Sequence, residues 1–209
     1  MNSKVVRETD LGTGNLRRGE VRDCYDLGDH LLLVATDRIS AFDVVMPNGI
    51  PFKGKVLNQL SAFWFDKMKD VVQNHVVTTD AREIVEKYPE LKGQEDLLAG
   101  RTTLGRKVEP IPVECVVRGY LAGSAWSEYK DEGTVAEAEM PKGMVKYQKF
   151  DAPLFTPATK EESGHDVNIS IGRMKSILGR GLSERIIDTS LTLYEEASKY
   201  AASRGVLIA

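Results

Sequence analysis

The chain is poor in cysteine and histidine, carries no surplus of positive charge and has no long apolar run. Each shortage closes off a class of function. Two cysteines, Cys24 and Cys115, in 209 residues are too few for a disulfide framework. In apolar or strand-like surroundings they read as buried thiols of a reducing compartment. Three histidines, His30, His75 and His165, stand at no Cys/His spacing suited to zinc. No stretch approaches the about 18 consecutive apolar residues of a membrane span. The start, Met1-Asn-Ser-Lys-Val-Val-Arg7, is too polar for a signal peptide. A cytoplasmic chain with no membrane partner is the expectation. With 28 Lys and Arg against 31 Asp and Glu, it lacks the basic balance of a nucleic-acid binder. No Gly-x-Ser-x-Gly motif and no Cys/His pairing supports nucleophilic catalysis.

What is present is an ordinary globular composition, 42% hydrophobic and 28% charged, long enough for one large or two small domains. Residues 16–55 read as β-rich, with a turn at Asp26-Leu-Gly-Asp29, a buried strand at Leu31–Ala35 and another at Val44–Met46. Leu57, Leu60, Trp64 and Met68 then fall at helical spacing, predicting an amphipathic helix over 56–70 with those residues inward. Residues 71–79 read as extended and Asp80–Lys87 as a short helix stopped before Pro89. Residues 89–107 are polar and Gly-containing, a connection between lobes. Ile111–Val117 reads as a central strand, followed by a short helix over Ala125–Lys130. Ser170 is placed to cap a helix through Leu178 with Met174, Ile177 and Leu178 inward. Ser183 is placed to cap a longer one to Ser203, with Ile187, Leu191, Tyr194 and Ala201 as its buried stripe. Gly205 ends it. Val206-Leu-Ile-Ala209 resembles the first half of a buried strand, which suggests a chain cut in mid-strand.

Four segments carry possible chemistry. Thr156–Ser170 is almost empty of packing residues yet holds Lys160, His165 and Asp166, the pattern of a polar ligand-binding loop suited to acid–base work or anion binding. Val117-Arg118-Gly119-Tyr120-Leu-Ala-Gly123-Ser124 joins a strand to a helix start. There free amides and the Arg118 fork suit a phosphate, although an ordinary turn with a surface Arg reads as well. Thr36–Asp43 crowds Asp37, Arg38, Ser40 and Asp43 into one turn. It is either an Arg–carboxylate tie between strands or a group facing a cleft. Gly49–Val56 nearly spells a P-loop, but Val56 stands where Ser or Thr would hold magnesium and Pro51 removes a donor. A turn into the following helix is the simpler reading, with Lys55 as at most a lone ligand contact.

Together these blocks resemble one family, the phosphoribosylaminoimidazole-succinocarboxamide synthases, or SAICAR synthetases, of purine biosynthesis. The matching stretches are Gly19–Gly28, Ala35–Asp43, Lys55–Gln59, Glu109–Ser124 and Thr156–Asp166, in order along essentially the whole chain. The resemblance implies an α+β fold of two lobes, 1–108 and 109–209, with antiparallel sheets and an ATP cleft between them. It implies an ATP- and Mg2+-dependent ligase joining L-aspartate to the carboxylate of carboxyaminoimidazole ribonucleotide (CAIR), through an acyl phosphate. A homo-oligomer stays open.

Site residues carry over by the same resemblance. Gly19, Val21 and Arg22 match the lid over the ATP phosphates, and Glu114 and Val116 the adenine-side strand. Arg118, Gly123 and Ser124 match contacts to the substrate phosphate. Lys160, His165 and Asp166 match the substrate loop, and Arg38 and Ser40 a further substrate-side block. Glu20 departs from the family, where a Lys is usual, leaving Arg22 to carry the charge alone or Glu20 to point away. The family also continues past Ala209 with an acidic, metal-binding strand. A truncated chain is therefore expected, with a non-catalytic nucleotide-binding remnant as the alternative function and another phosphotransfer enzyme as a third.

Overall fold

The structure, a computed structural model, describes residues 5–41, 44–159 and 167–209. It is an α+β chain with antiparallel sheets in two compact units, Met1–Glu109 and Pro110–Ala209.

In the first unit, β1 (Asn15–Arg18), β2 (Arg22–Asp26) and β3 (His30–Ala35) form a meander. β4 (Arg38–Ala41) and β5 (Val44–Gly49) make a separate hairpin. Then follow α1 (Lys53–Lys67), β6 (Val76–Thr78), α2 (Ala81–Lys87), a turn of 3-10 helix (Pro89–Leu91), α3 (Glu95–Leu98) and β7 (Thr102–Arg106). The main sheet runs β1-β2-β3-β7-β6. Its alternation sends Tyr25, Leu32, Val34 and Leu104 into a core with Ile84, Leu91 and Leu98. The other face carries Arg22 level with Ala35, and Cys24 level with Leu33, across β2 and β3.

The expected connection over 89–107 thus contains a central strand. β7 reads Thr-Thr-Leu-Gly-Arg, too short and polar to announce itself, and its place follows from pairing with β3 along His30–Val34. α2 has the expected boundary, with the Asp80 carboxylate accepting from the Arg82 amide at 2.7 Å.

α1 starts earlier than the spacing predicts and turns a different face inward. Leu57 and Leu60 are exposed, while Gly54 and Asn58 are buried. A Cβ on Gly54 would lie 2.2 Å from the Ala35 carbonyl oxygen, so only glycine lets the helix approach this closely. Asn58 then bonds across, donating to the Thr102 carbonyl at 3.2 Å and accepting from the Thr103 hydroxyl at 2.9 Å. Close approach and polar pairing outweigh the apolar stripe.

In the second unit, β8 (Val113–Tyr120) leads into α4 (Gly123–Glu132). A small hairpin follows, β9 (Thr134–Val135) and β10 (Ala138–Glu139), and then β11 (Lys149–Thr159), β12 (Val167–Asn168), α5 (Ile171–Leu178) and α6 (Arg180–Ala202). The sheet order is β12-β11-β8. Val113, Phe155, Ile169 and Met174 form a core against which Val117, Ile187 and Leu191 pack. A second cluster gathers Leu121, Ala125, Val135 and Phe150.

Ser170 caps α5 as expected, accepting from the Arg173 amide at 3.3 Å. Ser183 caps nothing: α6 begins at Arg180, and the buried Ser183 hydroxyl donates to the Gly179 carbonyl at 2.8 Å within the helix. Thr156–Thr159 is strand rather than loop, because β11 pairs with Val113–Val116 through these residues. Val206–Ala209 joins no described strand, and Val206 and Leu207 are exposed. The Gly205 stop holds, with the Val206 amide donating to the Ala201 carbonyl. Both cysteines are free: Cys24 is only half-buried, because alternation on β2 sends Tyr25 into the core instead, and Cys115 is exposed although it shares the face of β8 that carries Val113 and Val117. No described helix is long and apolar enough to cross a membrane.

Candidate functional site

In the second unit the sheet register builds a polar face. Val113 and Val117 point to the core, so Glu114, Val116 and Arg118 take the opposite side of β8. Thr156 on β11 stands opposite Val116, and Leu154 opposite Arg118. Arg118 and Thr156 are therefore diagonal neighbours across the pair. The Arg118 Nε donates to the Thr156 hydroxyl at 3.1 Å, Nη2 to the Ser124 hydroxyl at 2.8 Å, and Nη1 more weakly to the Ala122 carbonyl at 3.5 Å. Burial lowers the Arg118 pKa, with Glu128 pulling it back up; the group remains a cation near neutrality.

Ser124 sits in the first turn of α4, whose cap, Ala122, supplies no side-chain acceptor. Among the described residues no side chain accepts from the first amides of this helix, which suits them to another acceptor. Gly123 opens the helix at φ 58°, a conformation costly for a side-chain-bearing residue. One charged fork, one hydroxyl and a bare helix N-terminus converge here, which is the chemistry of a phosphate site.

Behind this turn, Glu128 accepts from Asn168 Nδ2 at 2.8 Å, the Thr134 hydroxyl at 2.9 Å and the Glu137 amide at 3.0 Å. Burial alone would raise its pKa, but these donors outweigh it and hold the carboxyl below the usual value. The Glu128–Asn168 bond ties β12 to α4. Lys160, His165 and Asp166, and also Phe42 and Asp43, lie outside the described residues.

In the first unit, Gly19 closes the β1–β2 turn, its amide donating to the Arg22 carbonyl at 2.8 Å. The Val21 carbonyl accepts from the Thr36 amide and hydroxyl at 3.0 and 2.9 Å. Arg38 grips this turn from below. It donates to the carbonyls of Glu20 at 2.9 Å, Gly19 at 2.8 Å and Arg22 at 3.1 Å, to that of Arg7, and to the Asp23 carboxylate at 2.8 Å. Arg38 is buried and its donors are engaged. It therefore shapes the hairpin, and of the two readings of Thr36–Asp43 its hydrogen bonds match the tie between strands. The Ser40 hydroxyl is buried on β4 with no partner among the described residues.

Asp37 answers the P-loop resemblance. Its carboxylate accepts from the Gly54 amide at 2.9 Å, the Val6 amide at 2.8 Å and Arg101 Nη1 at 3.2 Å. Burial pushes this carboxyl up, but the two amides and the guanidinium prevail and its pKa falls below the usual range. The start of α1 is thus already served by a protein carboxylate, which would repel a phosphate.

Beside it lies a cavity of about 160 Å³ lined by Val21, Arg22, Thr36, Lys53, Asn58 and His75 among others. Arg22 and Lys53 supply positive charge there, while Glu20 is not in its wall. Ligand pockets usually start at about 300 Å³, so this cavity has room for part of a nucleotide only. That Lys53 and His75 share this cavity was not legible in the sequence, since only the fold brings the start of α1 near the residue that precedes β6, the strand beside β7. Among the described residues no three His, Cys, Asp or Glu side chains gather as a metal site.

Comparison with known proteins agrees with the pattern of blocks. The family model for SAICAR synthetase matches residues 15–209. The phosphoribosylaminoimidazole-succinocarboxamide synthase of Thermodesulfovibrio yellowstonii is 50% identical over 206 residues, covering 98% of this chain and 70% of that protein. The SAICAR synthase of Saccharomyces cerevisiae, solved in complex with SAICAR, superposes with a TM-score of 0.88 at 40% identity, over 98% of this chain and 69% of that one. The SAICAR synthetase of Pyrococcus horikoshii, at 18% identity and a TM-score of 0.70, over 90% of this chain and 71% of that one, shares the fold.

Proposed function

The chain belongs to the SAICAR synthetase family of purine-biosynthetic ligases, and from that premise we propose that it joins L-aspartate to the carboxylate of CAIR at the expense of ATP, giving SAICAR, ADP and phosphate. The observation that carries this reading is the Arg118–Ser124 pair at the open N-terminus of α4. A substrate nucleotide needs its phosphate held by fixed positive charge and amides while its far end reacts, and this group offers both.

The chemistry follows from the poor reactivity of a carboxylate. A CAIR carboxylate oxygen attacks the γ-phosphorus of ATP, and ADP leaves. The aspartate nitrogen then attacks the acyl carbon, the bond to phosphate breaks, and the nitrogen loses a proton. Such steps ask the protein for orientation and charge neutralisation more than for a covalent partner. Arg22 and Lys53 are suited to the ATP phosphates and Glu114 and Val116 to the adenine side. Lys160, His165 and Asp166 are assigned to the reacting end of CAIR by family resemblance. The described residues do not by themselves fit a protein-held magnesium.

The test is to supply CAIR, ATP, Mg2+ and L-aspartate and follow SAICAR and ADP chromatographically. Equal amounts of both, absent without aspartate, are expected. Nucleotide binding with no product would favour a binding protein without ligase activity. Failure to bind the imidazole nucleotide at all would sink the reading.

A further inference from the structure

We propose that Thr156 is a positioning residue that fixes the Arg118 guanidinium for phosphate capture; this rests on the reading of Arg118 and the start of α4 as a phosphate site. Thr156 is only 2% exposed and stands inside β11. A buried strand position of this shape is filled as well by valine, which has no hydroxyl to satisfy. Here the hydroxyl is used twice. Its proton goes to the Val116 carbonyl at 3.2 Å, which leaves its lone pairs to accept from Arg118 Nε at 3.1 Å. Donor and acceptor roles are thereby fixed by the strand register, and Thr is stiff at χ1.

At its other end the guanidinium is held by Ser124 at 2.8 Å. Anchored at Nε and at Nη2, the plane has lost the freedom of a long surface arginine. Among the described residues, three of its five N–H groups are committed, to Thr156, Ala122 and Ser124. The remaining two are left for an anion. Through Arg118, Thr156 also links β11 to the first turn of α4, so the charge and the helix amides share one frame. Pre-orientation of this kind lowers the ordering cost of binding.

The experiment measures, by calorimetry, binding of 5-aminoimidazole-4-carboxamide ribonucleotide and of its dephosphorylated nucleoside. Thr156→Val is expected to weaken the nucleotide roughly fivefold, the scale of one lost hydrogen bond, and to leave the nucleoside unchanged. Thr156→Ser should restore parent affinity. In an Arg118→Ala background Thr156→Val should have no further effect. Thr156→Ala, read the same way, serves if the valine variant does not fold. Should Arg118→Ala and Ser124→Ala bind the nucleotide like the parent, the phosphate-site reading falls and this proposal with it. Should Arg118→Ala lose the preference for nucleotide while Thr156→Val and Thr156→Ala keep it, the role of Thr156 alone is overturned. Equal weakening of nucleotide and nucleoside by Thr156→Val would also overturn it, since that marks a general packing role.

Discussion

Replacing Arg38 by methionine separates a clamp from a ligand contact. In the parent, Arg38 and Asp23 form an ion pair at 2.8 Å, their side chains 7% and 0% exposed. Removing one partner of such a pair costs about 3–5 kcal/mol, because the other charge stays buried. Asp23 keeps the Thr9 amide at 2.7 Å and the Thr9 hydroxyl at 2.9 Å, which places the cost at the lower end. The carbonyls of Gly19 and Glu20 belong to exposed residues, so water can replace the lost donors there and they add little. Arg38→Met should then destabilise the first unit by about 3 kcal/mol, a large share of the about 5–15 kcal/mol that holds a domain together. At about 4 °C per kcal/mol its melting temperature falls by roughly 12 °C. Hydrogen exchange of the β2 and β3 amides reads this unit separately from the second. Asp23→Asn in the Arg38→Met background should recover part of the loss, since no unpaired charge is then buried. A melting point within about 3 °C of the parent, together with weakened nucleotide binding, would refute the clamp and make Arg38 a ligand contact.

Other expectations follow from the same geometry. Gly54→Ala puts a Cβ 2.2 Å from the Ala35 oxygen and 2.8 Å from Arg101 Nη1, so α1 must move at a cost of about 2 kcal/mol; an unchanged urea midpoint would contradict this. The Glu128 carboxyl lies below its ordinary 4.5 when folded. Its stabilising effect is therefore present above that value and lost as pH falls through the depressed one. The urea midpoint of the parent should drop more steeply than that of Glu128→Gln from about pH 5 to about pH 3, and parallel curves would remove Glu128 from the account. Lys160→Ala should weaken imidazole-nucleotide binding more than ATP binding, and unchanged affinity for the imidazole nucleotide would cancel its assignment.

Local signals in the sequence were readable and long-range ones were not. Asp80 and Ser170 sit two or three residues from the amides they cap, and both helix starts were legible. Arg118 and Ser124 are six residues apart, and strand-then-helix geometry alone suggests that they meet. α1 was misread because its apolar residues outnumber Gly54 and Asn58, whose inward facing depends on Ala35, Thr102 and Thr103 elsewhere in the chain. β7 was missed because a Thr-rich pentapeptide is a strand only when β3 is beside it. Arg38 was undecidable for the same reason: its partners Asp23 and Gly19 lie 15 and 19 residues away, with β3 between.

The segment that begins at Thr156 brings these two kinds of signal together. Its lack of packing residues argues for a loop, yet Thr156–Thr159 pair with β8 and are strand. The polarity is not evidence against a sheet here, because the face that β11 and β8 share carries Arg118 and has a use for a hydroxyl. A threonine is the residue type that satisfies both demands, β-branched for the strand and hydrogen-bonding for the guanidinium. The stretch from Thr156 to Ser170 therefore opens as strand at Thr156–Thr159 and closes with strand at Val167–Asn168 and the Ser170 cap. Exchanging residues of the Lys160–Asp166 stretch should alter which nucleotide carboxylate reacts, read from product formation, while exchanging Thr156 should alter how tightly any phosphate is held, read from nucleotide binding.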